Sequence, residues 1–333
     1  MLARVVPGAL AIVFLICLTS FAVALTLGGG PRATTLELAI WQAFRFDFDL
    51  GHAAFLAAVQ AGVGFVALGL LALVTRPEVG QGGLDRIAPA PGGGLARGVD
   101  TLAIGAAAAF LLVPLGMVLA RGLPHVAGLP APVWAAAARS VMVAGASVLL
   151  LGVMAAALTL AALRHRWPEA LGSAALTASP LVIGIGLFVV VNPLVAPETL
   201  ALPVTAVVNA AMALPFALRA LIPAARRAEA EFARLSESLG LSAWGHLRLV
   251  LWPRLRRPAG FALGLGAALS LGDLGVIVLF AQTGSETLPM QMHALMGAFR
   301  MADAAGVAVL LMALALGAFA GLERLIGGRD AGT

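Results

Sequence analysis

The sequence predicts an all-α fold, a polytopic transmembrane helical bundle, and three observations carry that expectation. The first is composition: the chain is 61 % hydrophobic and 11 % charged, with a mean hydropathy of +1.01, whereas a soluble domain carries roughly 25 % charged residues. The second is the length of the apolar runs. A helix needs about 20 predominantly apolar residues to cross a bilayer, and about eight stretches qualify: 5–27, 51–74, 100–121, 138–163, 170–191, 200–222, 259–281 and 303–326. The third is the placement of charge. All 21 basic residues are arginine, and they gather in 75–99, 164–169 and 223–258 and near the ends at Arg4, Arg324 and Arg329. Cytoplasmic loops carry such an excess, so both termini are expected in the cytoplasm.

In chain order, Arg4 followed by the apolar run 9–27 has the outline of a secretory signal. Its apolar part is too long and no good cleavage site follows, so it reads as a retained span. Gly28-Gly29-Gly30 is followed by neither a helix start nor a lysine and reads as an extracytoplasmic turn. Segment 75–99, with QGG, PAPGGG and no hydrophobic period, reads as a cytoplasmic linker and the best domain boundary.

Several chemistries find no residues to carry them. Cys17 is the single cysteine, and His52, His125, His165, His246 and His293 lack ligand spacing, so no metal site is expected. No GxxxxGK[ST] phosphate loop is present, so this chain is expected to hold no cofactor and any ATP would be bound by a partner subunit. A membrane enzyme would need a cluster of His, Asp or Glu near one membrane face, and none is visible. The arginine excess belongs to loops beside the lipid bilayer, not to nucleic-acid binding.

An internal repeat organises the chain. TLELAIWQAFRFDFDLGHAA (35–54) resembles TLPMQMHALMGAFRMADAAGVA (287–308). Thr35-Leu36 pairs with Thr287-Leu288, and Ala43-Phe44-Arg45 is expected to pair with Ala298-Phe299-Arg300. Upstream, residues 20–23 stand where Asp273-Leu274-Gly275-Val276 stand in the second copy. An even number of predicted spans separates the copies, so they face the same way in the bilayer.

The one long polar segment is 226–258, which holds seven of the arginines. Phe232, Leu235 and Leu239 recur at helical spacing, with Glu229, Glu231, Arg234 and Glu237 on the other faces, predicting an amphipathic helix. Gly240 is expected to end it, Ser242 to cap a second helix, and Pro253 to stop that helix before the next span. The spacing of Gly240, Val250, Trp252 and Pro253 resembles the EAA loop of ABC importer permeases, with Arg234-Leu235-Ser236 standing where EAA is expected and Trp252 where Leu is expected. The alternative is an ordinary basic cytoplasmic loop. The resemblance implies that Arg234, Glu237, Gly240, Leu241, Trp244, Val250, Trp252 and Pro253 form the surface that couples to a cytosolic ATPase. A solvated Arg234–Glu237 pair and an interfacial role for Trp252 are the competing readings.

Asp273 is the principal intramembrane charge. A carboxylate at a helix centre costs about 2.5–3.5 kcal/mol on insertion, so it is expected to face protein or water. It is either part of a translocation path or a turn-holding group after Gly272. Asn209 and Asn192 line the path or bond between helices. Pro193, Pro203 and Pro215 are expected to kink or end helices.

The stretches 209–224, 234–258, 269–280 and 287–306 resemble the second half of the thiamine and thiamine pyrophosphate ABC transporter permease, and 19–51 resembles the end of that family's first half. The fused ferric-iron permeases share the double architecture and are the nearest alternative; an ion-coupled secondary carrier is a further one. The resemblance implies an ABC type I importer permease fold in the bacterial inner membrane. It also implies a cytosolic ABC ATPase dimer and a periplasmic thiamine-binding protein as partners. The expected organisation is 1–75 as the last two helices of a first permease copy, 76–99 as linker, 100–326 as a second copy of six spans, and 327–333 as a cytoplasmic tail. Aligning Pro7 with Pro258 would leave the first copy short of its other helices. The expectation is that an upstream reading frame or a second permease chain supplies them.

Overall fold

The computed structural model describes residues 10, 13–14, 17–27, 34–74, 94–175, 179–191, 197–280 and 284–328. Pro7, Gly28-Gly29-Gly30, Asn192, Pro193 and most of the 75–99 linker lie outside them. Among the described residues regular structure is helical throughout, and six helices are long and apolar enough to cross a membrane. The fold is a polytopic all-α bundle.

Two short helices, α1 (Phe21–Leu27) and α2 (Leu36–Arg45), precede the spanning helix α3 (Leu50–Val74). Thr35 caps α2, its Oγ1 accepting from the Leu38 amide at 3.3 Å, and Asp49 Oδ1 accepts from the His52 amide at 2.9 Å at the start of α3. α4 (Gly94–Gly122) runs into a 3₁₀ turn (Leu123–Gly128) and is followed by α5 (Ala131–Ala162), α6 (Trp167–Ala175) and α7 (Pro180–Val191). α8 (Pro197–Ser238) is 42 residues long. A short α9 (Ala243–His246), a π turn (Leu247–Leu251) and α10 (Trp252–Gly272) follow, then α11 (Ile277–Phe280), α12 (Leu288–Gly297) and α13 (Met301–Gly327).

The most extensive helix contact joins α10 to α13, followed by α5 with α8 and α8 with α10. Lipid tails are as apolar as leucine, so helices associate in a membrane through close van der Waals contact, which small residues permit. A Cβ on Gly260 would stand 2.9 Å from the Gly327 amide nitrogen, and one on Gly264 would stand 2.8 Å from the Phe319 carbonyl oxygen. Only hydrogen fits at either position. α4 is the outermost helix, with Leu102, Phe110, Leu111 and Leu112 all exposed. One core cluster joins Phe21, Leu38 and Phe44 of the first repeat to Leu181, Val208 and Ile277, so the two parts of the chain share an interior.

Three sequence expectations are corrected. The stretch 5–27 is not one helix: the described backbone turns at 19–20 before α1. The stretch 170–191 is divided between α6 and α7, and the count of about eight spans is not reached among the described residues. Pro253 does not stop a helix. It lies in the first turn of α10, which continues from the π turn. There the Trp252 amide bonds back five residues to Leu247. That wider turn takes in a residue with no N–H and a ring that would crowd an ordinary α-turn. Pro203 and Pro215 likewise lie within α8 without ending it.

The repeat is present, with a different register at its end. Thr35 and Thr287 both hold the N-cap position of a ten-residue helix. The corners after those helices turn at Phe48 (φ 52°) and Phe299 (φ 58°), the two non-glycine residues with positive φ among those described. Phe48 therefore matches Phe299, while Phe44 is buried within α2, so the Ala43-Phe44-Arg45 pairing is displaced. A left-handed φ costs a residue with a Cβ about 1–2 kcal/mol. Both corners lie away from the arginine-rich loop. The end of α13 at Gly327 touches Arg257, placing Phe299 about 40 Å away along the helix. The Phe44 ring meets Phe188 near the end of α7 at 5.0 Å, on the side where α8 begins.

Gly264→Ala is expected to force α10 and α13 apart and lower the unfolding free energy by about 1–3 kcal/mol, the usual cost of overpacking. Gly317→Ala has open space around its Cβ and is expected to leave the melting temperature in detergent unchanged; equal effects of the two would refute the close-contact account.

Candidate functional site

Three backbone interruptions meet at one cavity. The turn at 19–20, the start of α7 after Ser179, and the end of α10 at Gly272 line a space of about 160 Å³ formed by residues 19–22, 180–181 and 272–275. Non-helical backbone at membrane depth is tolerated where it is buried in protein or lines a water-filled cavity, and each interruption is satisfied locally. Ser179 Oγ accepts from the Leu181 amide at 3.2 Å, and Asp273 Oδ1 accepts from the Gly275 amide at 3.2 Å.

Asp273 lines this cavity and also reaches into the bundle. With its amide assigned so that nitrogen faces the carboxylate, Asn209 of α8 donates through Nδ2 to Asp273 Oδ2 at 3.0 Å and to the Thr205 carbonyl at 3.3 Å, while its Oδ1 accepts from the Ser270 hydroxyl at 2.9 Å. Ser270 stands 3.1 Å from Ser147, which donates to the Ala206 carbonyl at 3.0 Å. The two residues singled out in the membrane thus bond directly across α8 and α10, with Ser147 of α5 in contact at Ser270. One oxygen of Asp273 holds the turn after Gly272, and the side chain also faces a cavity between the two repeats.

A second buried polar cluster was missed at the sequence level. Glu37 of α2 is 1 % exposed and accepts from Gln60 Nε2 of α3 at 2.6 Å; the same nitrogen donates to the Leu18 carbonyl at 3.3 Å. Glu37 Oε2, Gln60 Oε1 and Trp41 Nε1 are buried without a hydrogen-bond partner among the described residues. The available signal was a lone carboxylate in the apolar stretch LELAIW. Burial pushes the Glu37 carboxyl up from its ordinary value, against hydrogen bonds with Ser179 and Gln60 that favour the charged form.

The arginine-rich segment carries a different kind of surface. α8 runs to Ser238, Gly240 takes φ 63°, and Ser242 caps α9 by accepting from the Gly245 amide at 3.1 Å, as its sequence predicts. The turn is pinned from inside: His246 contacts Glu229 Oε2 through Nε2 and Ser236 Oγ through Nδ1, both at 2.8 Å. The Arg254 guanidinium lies 3.7 Å from the centre of the Phe232 ring, and Arg226 pairs with Glu169. Of the expected coupling residues, Arg234, Glu237, Gly240, Trp244, Trp252 and Pro253 are exposed, Leu241 is half-buried and Val250 is buried. Arg234 and Glu237 make no ion pair among the described residues. The apolar side chains Leu239 and Trp244, 66 % and 68 % exposed, face outward unpartnered.

No family model matches the chain. It is 39 % identical over 328 residues to the thiamine transport system permease protein ThiP of Brucella abortus (strain 2308), covering 94 % of this chain and 60 % of that relative. It is 35 % identical to the proteins of the same name from Salmonella typhimurium (strain LT2) and Escherichia coli (strain K12), over 346 and 356 residues, covering 98 % of this chain and 63 % of each. The chain therefore spans about 60 % of the length of the relatives it matches.

A carboxyl whose pKa is raised by folding binds a proton that the unfolded chain releases. Its stabilising contribution is complete below the ordinary carboxyl range and is lost as pH rises through the folded-state value. Glu37→Gln keeps the shape and the partner, so its melting temperature in detergent is expected to exceed that of the wild type at neutral pH, with the gap closing as the pH falls into the carboxyl range. A gap independent of pH would contradict the burial account.

The resemblance read from the sequence is borne out as a likeness: along 94 % of its own length this chain is similar to a protein named as a thiamine transport system permease.

Proposed function

We propose that this chain is the membrane-spanning permease part of an ABC importer that moves thiamine, or its phosphates, from the periplasm to the cytoplasm across a bacterial inner membrane. The observation that carries this reading is the similarity to proteins named as thiamine transport permeases along nearly the whole chain. In this reading both termini and the arginine-rich segment are cytoplasmic. The exposed Arg234, Glu237, Gly240, Trp244, Trp252 and Pro253, with Leu241 and the neighbouring Leu239, dock into a cytosolic ATPase dimer, and buried Val250 anchors that surface from beneath. ATP is bound and hydrolysed by the ATPase, and a periplasmic thiamine-binding protein delivers the substrate.

Asp273 and Asn209 belong to the translocation path. The thiazolium ring of thiamine carries a permanent positive charge, and a carboxylate in a partly dehydrated cavity attracts a cation far more strongly than it would in bulk water. Asn209 orients that carboxylate. The cavity of about 160 Å³ is a constriction that widens as the helices rearrange.

Asp273→Asn keeps the hydrogen-bonding shape and removes the charge. Thiamine uptake by the complex, reconstituted with its ATPase and binding protein, is expected to fall about tenfold, equivalent to roughly 1.4 kcal/mol, at unchanged membrane abundance. A matching loss of uptake and abundance would assign Asp273 to holding its turn. Trp244→Ala with Leu239→Ala is expected to cost about 2 kcal/mol or more of ATPase binding, as central apolar anchors do, read by co-purification and titration.

A further inference from the structure

We propose that α5 is a splint for α8, and that Arg226 is the positioning residue that fastens the two helices on the arginine-rich side. In the importer reading, on which this rests, the fastening carries a displacement of the turn through to the path instead of letting α8 absorb it.

α8 is a poor lever by itself. It carries Pro203, Pro215 and Pro223 in its interior. Each proline removes a backbone hydrogen bond and crowds the preceding turn, so the helix yields most easily there. Pro215 and Pro223 both lie between Asn209 and the arginine-rich turn. α5 has a single proline, in its first turn, and it packs against α8 more extensively than any other described helix does. Bonds to backbone carbonyls fasten the pair on either side of the weak stretch. On the cavity side, Ser147 of α5 donates to the Ala206 carbonyl of α8 at 3.0 Å. On the other side, Arg226 of α8 donates to the Ala162 carbonyl of α5, through Nε at 3.3 Å and Nη2 at 3.0 Å.

Ala162 is the last residue of α5, and the final carbonyls of a helix have no partner within it. The guanidinium supplies one. Its Nη1 pairs at the same time with Glu169 in the first turn of α6, so one planar group holds both sides of the α5–α6 corner against α8. Lysine has no such fork. The ion pair is half exposed, at 41 % and 44 %, and pairs so placed contribute little to folding stability. What the arginine fixes is geometry. α6 is seated closely enough to share it: a Cβ on Gly172 would stand 2.9 Å from Leu218 Cδ1 of α8.

The test is the amount of thiamine moved per ATP hydrolysed, measured on the complex reconstituted in lipid vesicles with its ATPase and thiamine-binding protein. Arg226→Lys keeps the charge and loses the fork. Its ratio is expected to fall about tenfold, with ATP hydrolysis and ATPase co-purification at wild-type levels. Glu169→Gln leaves the Ala162 bonds in place and is expected to lower the ratio about twofold. Arg227→Ala, at the exposed neighbouring position, should leave it unchanged. Adding Pro215→Ala and Pro223→Ala to Arg226→Lys stiffens α8 directly and is expected to restore most of the ratio. A wild-type ratio in Arg226→Lys overturns the splint, and so does a low ratio that the added alanines fail to raise. Uptake, hydrolysis and membrane abundance falling together would make Arg226 a folding residue, and loss of the ATPase would place it in the docking surface; either result also overturns the splint. All of these outcomes leave the importer reading standing. Absence of thiamine uptake by the wild-type complex would remove that reading and the splint with it.

Discussion

In hydrocarbon there is no water to receive an exposed amide or carbonyl, so every interruption of a membrane helix must be satisfied by the protein itself. This chain gathers three interruptions at one place and satisfies them with its own side chains: Gln60 at the turn before α1, Ser179 at the start of α7, and Asp273 at the turn after α10. The cavity, the Asp273–Asn209 network and the shared core between the repeats all follow from that arrangement.

The arginine-rich side is built the other way, with its polar bonds spent on rigidity and its apolar groups left outside. His246 ties α9 to two positions on α8, and the π turn lets Pro253 enter α10 without breaking the helix. A docking surface needs this combination. Exposed Leu239 and Trp244 offer contact area, while the bonds beneath them hold the turn in one shape, which lowers the ordering cost of binding.

Much of this was legible in the sequence where a local rule fixes a local outcome. Gly240 and Ser242 read as a helix end and a cap because positive φ and an N-cap hydroxyl are demands a single residue meets. Hydropathy located the spans but could not locate their interruptions, because apolar composition is the same on both sides of a break; hence 5–27 and 170–191 read as whole helices. Pro253 read as a stop because the rule for proline assumes an α-turn, and the π turn relaxes it. The repeat was visible through Thr35 and Thr287, but matching Phe44 to Phe299 by identity set a core residue against an exposed corner. Glu37 passed unnoticed because nothing in its neighbours announces Gln60, which comes from another helix.

In the importer reading, the proposed path and the proposed docking surface are joined by covalent continuity. α8 carries Asn209, the partner of Asp273, and runs unbroken from there to Ser238 at the arginine-rich turn, about 44 Å at the rise of an α-helix. α10 begins at Trp252 on that same turn and ends at Gly272, beside Asp273. The Asn209–Asp273 hydrogen bond therefore lies far from that turn, the donor well along α8 and the acceptor just past the end of α10. Close contact through Gly260 and Gly264 couples α10 to α13, whose opposite end opens at the Phe299 corner. A displacement of the turn that shifts α8 against α10 must strain or reorient the contact at Asp273, since packed interiors are bistable and do not deform continuously. In the importer reading, the step that opens the path is this relative movement of two rigid helices, and Asp273 is placed where it is largest in consequence.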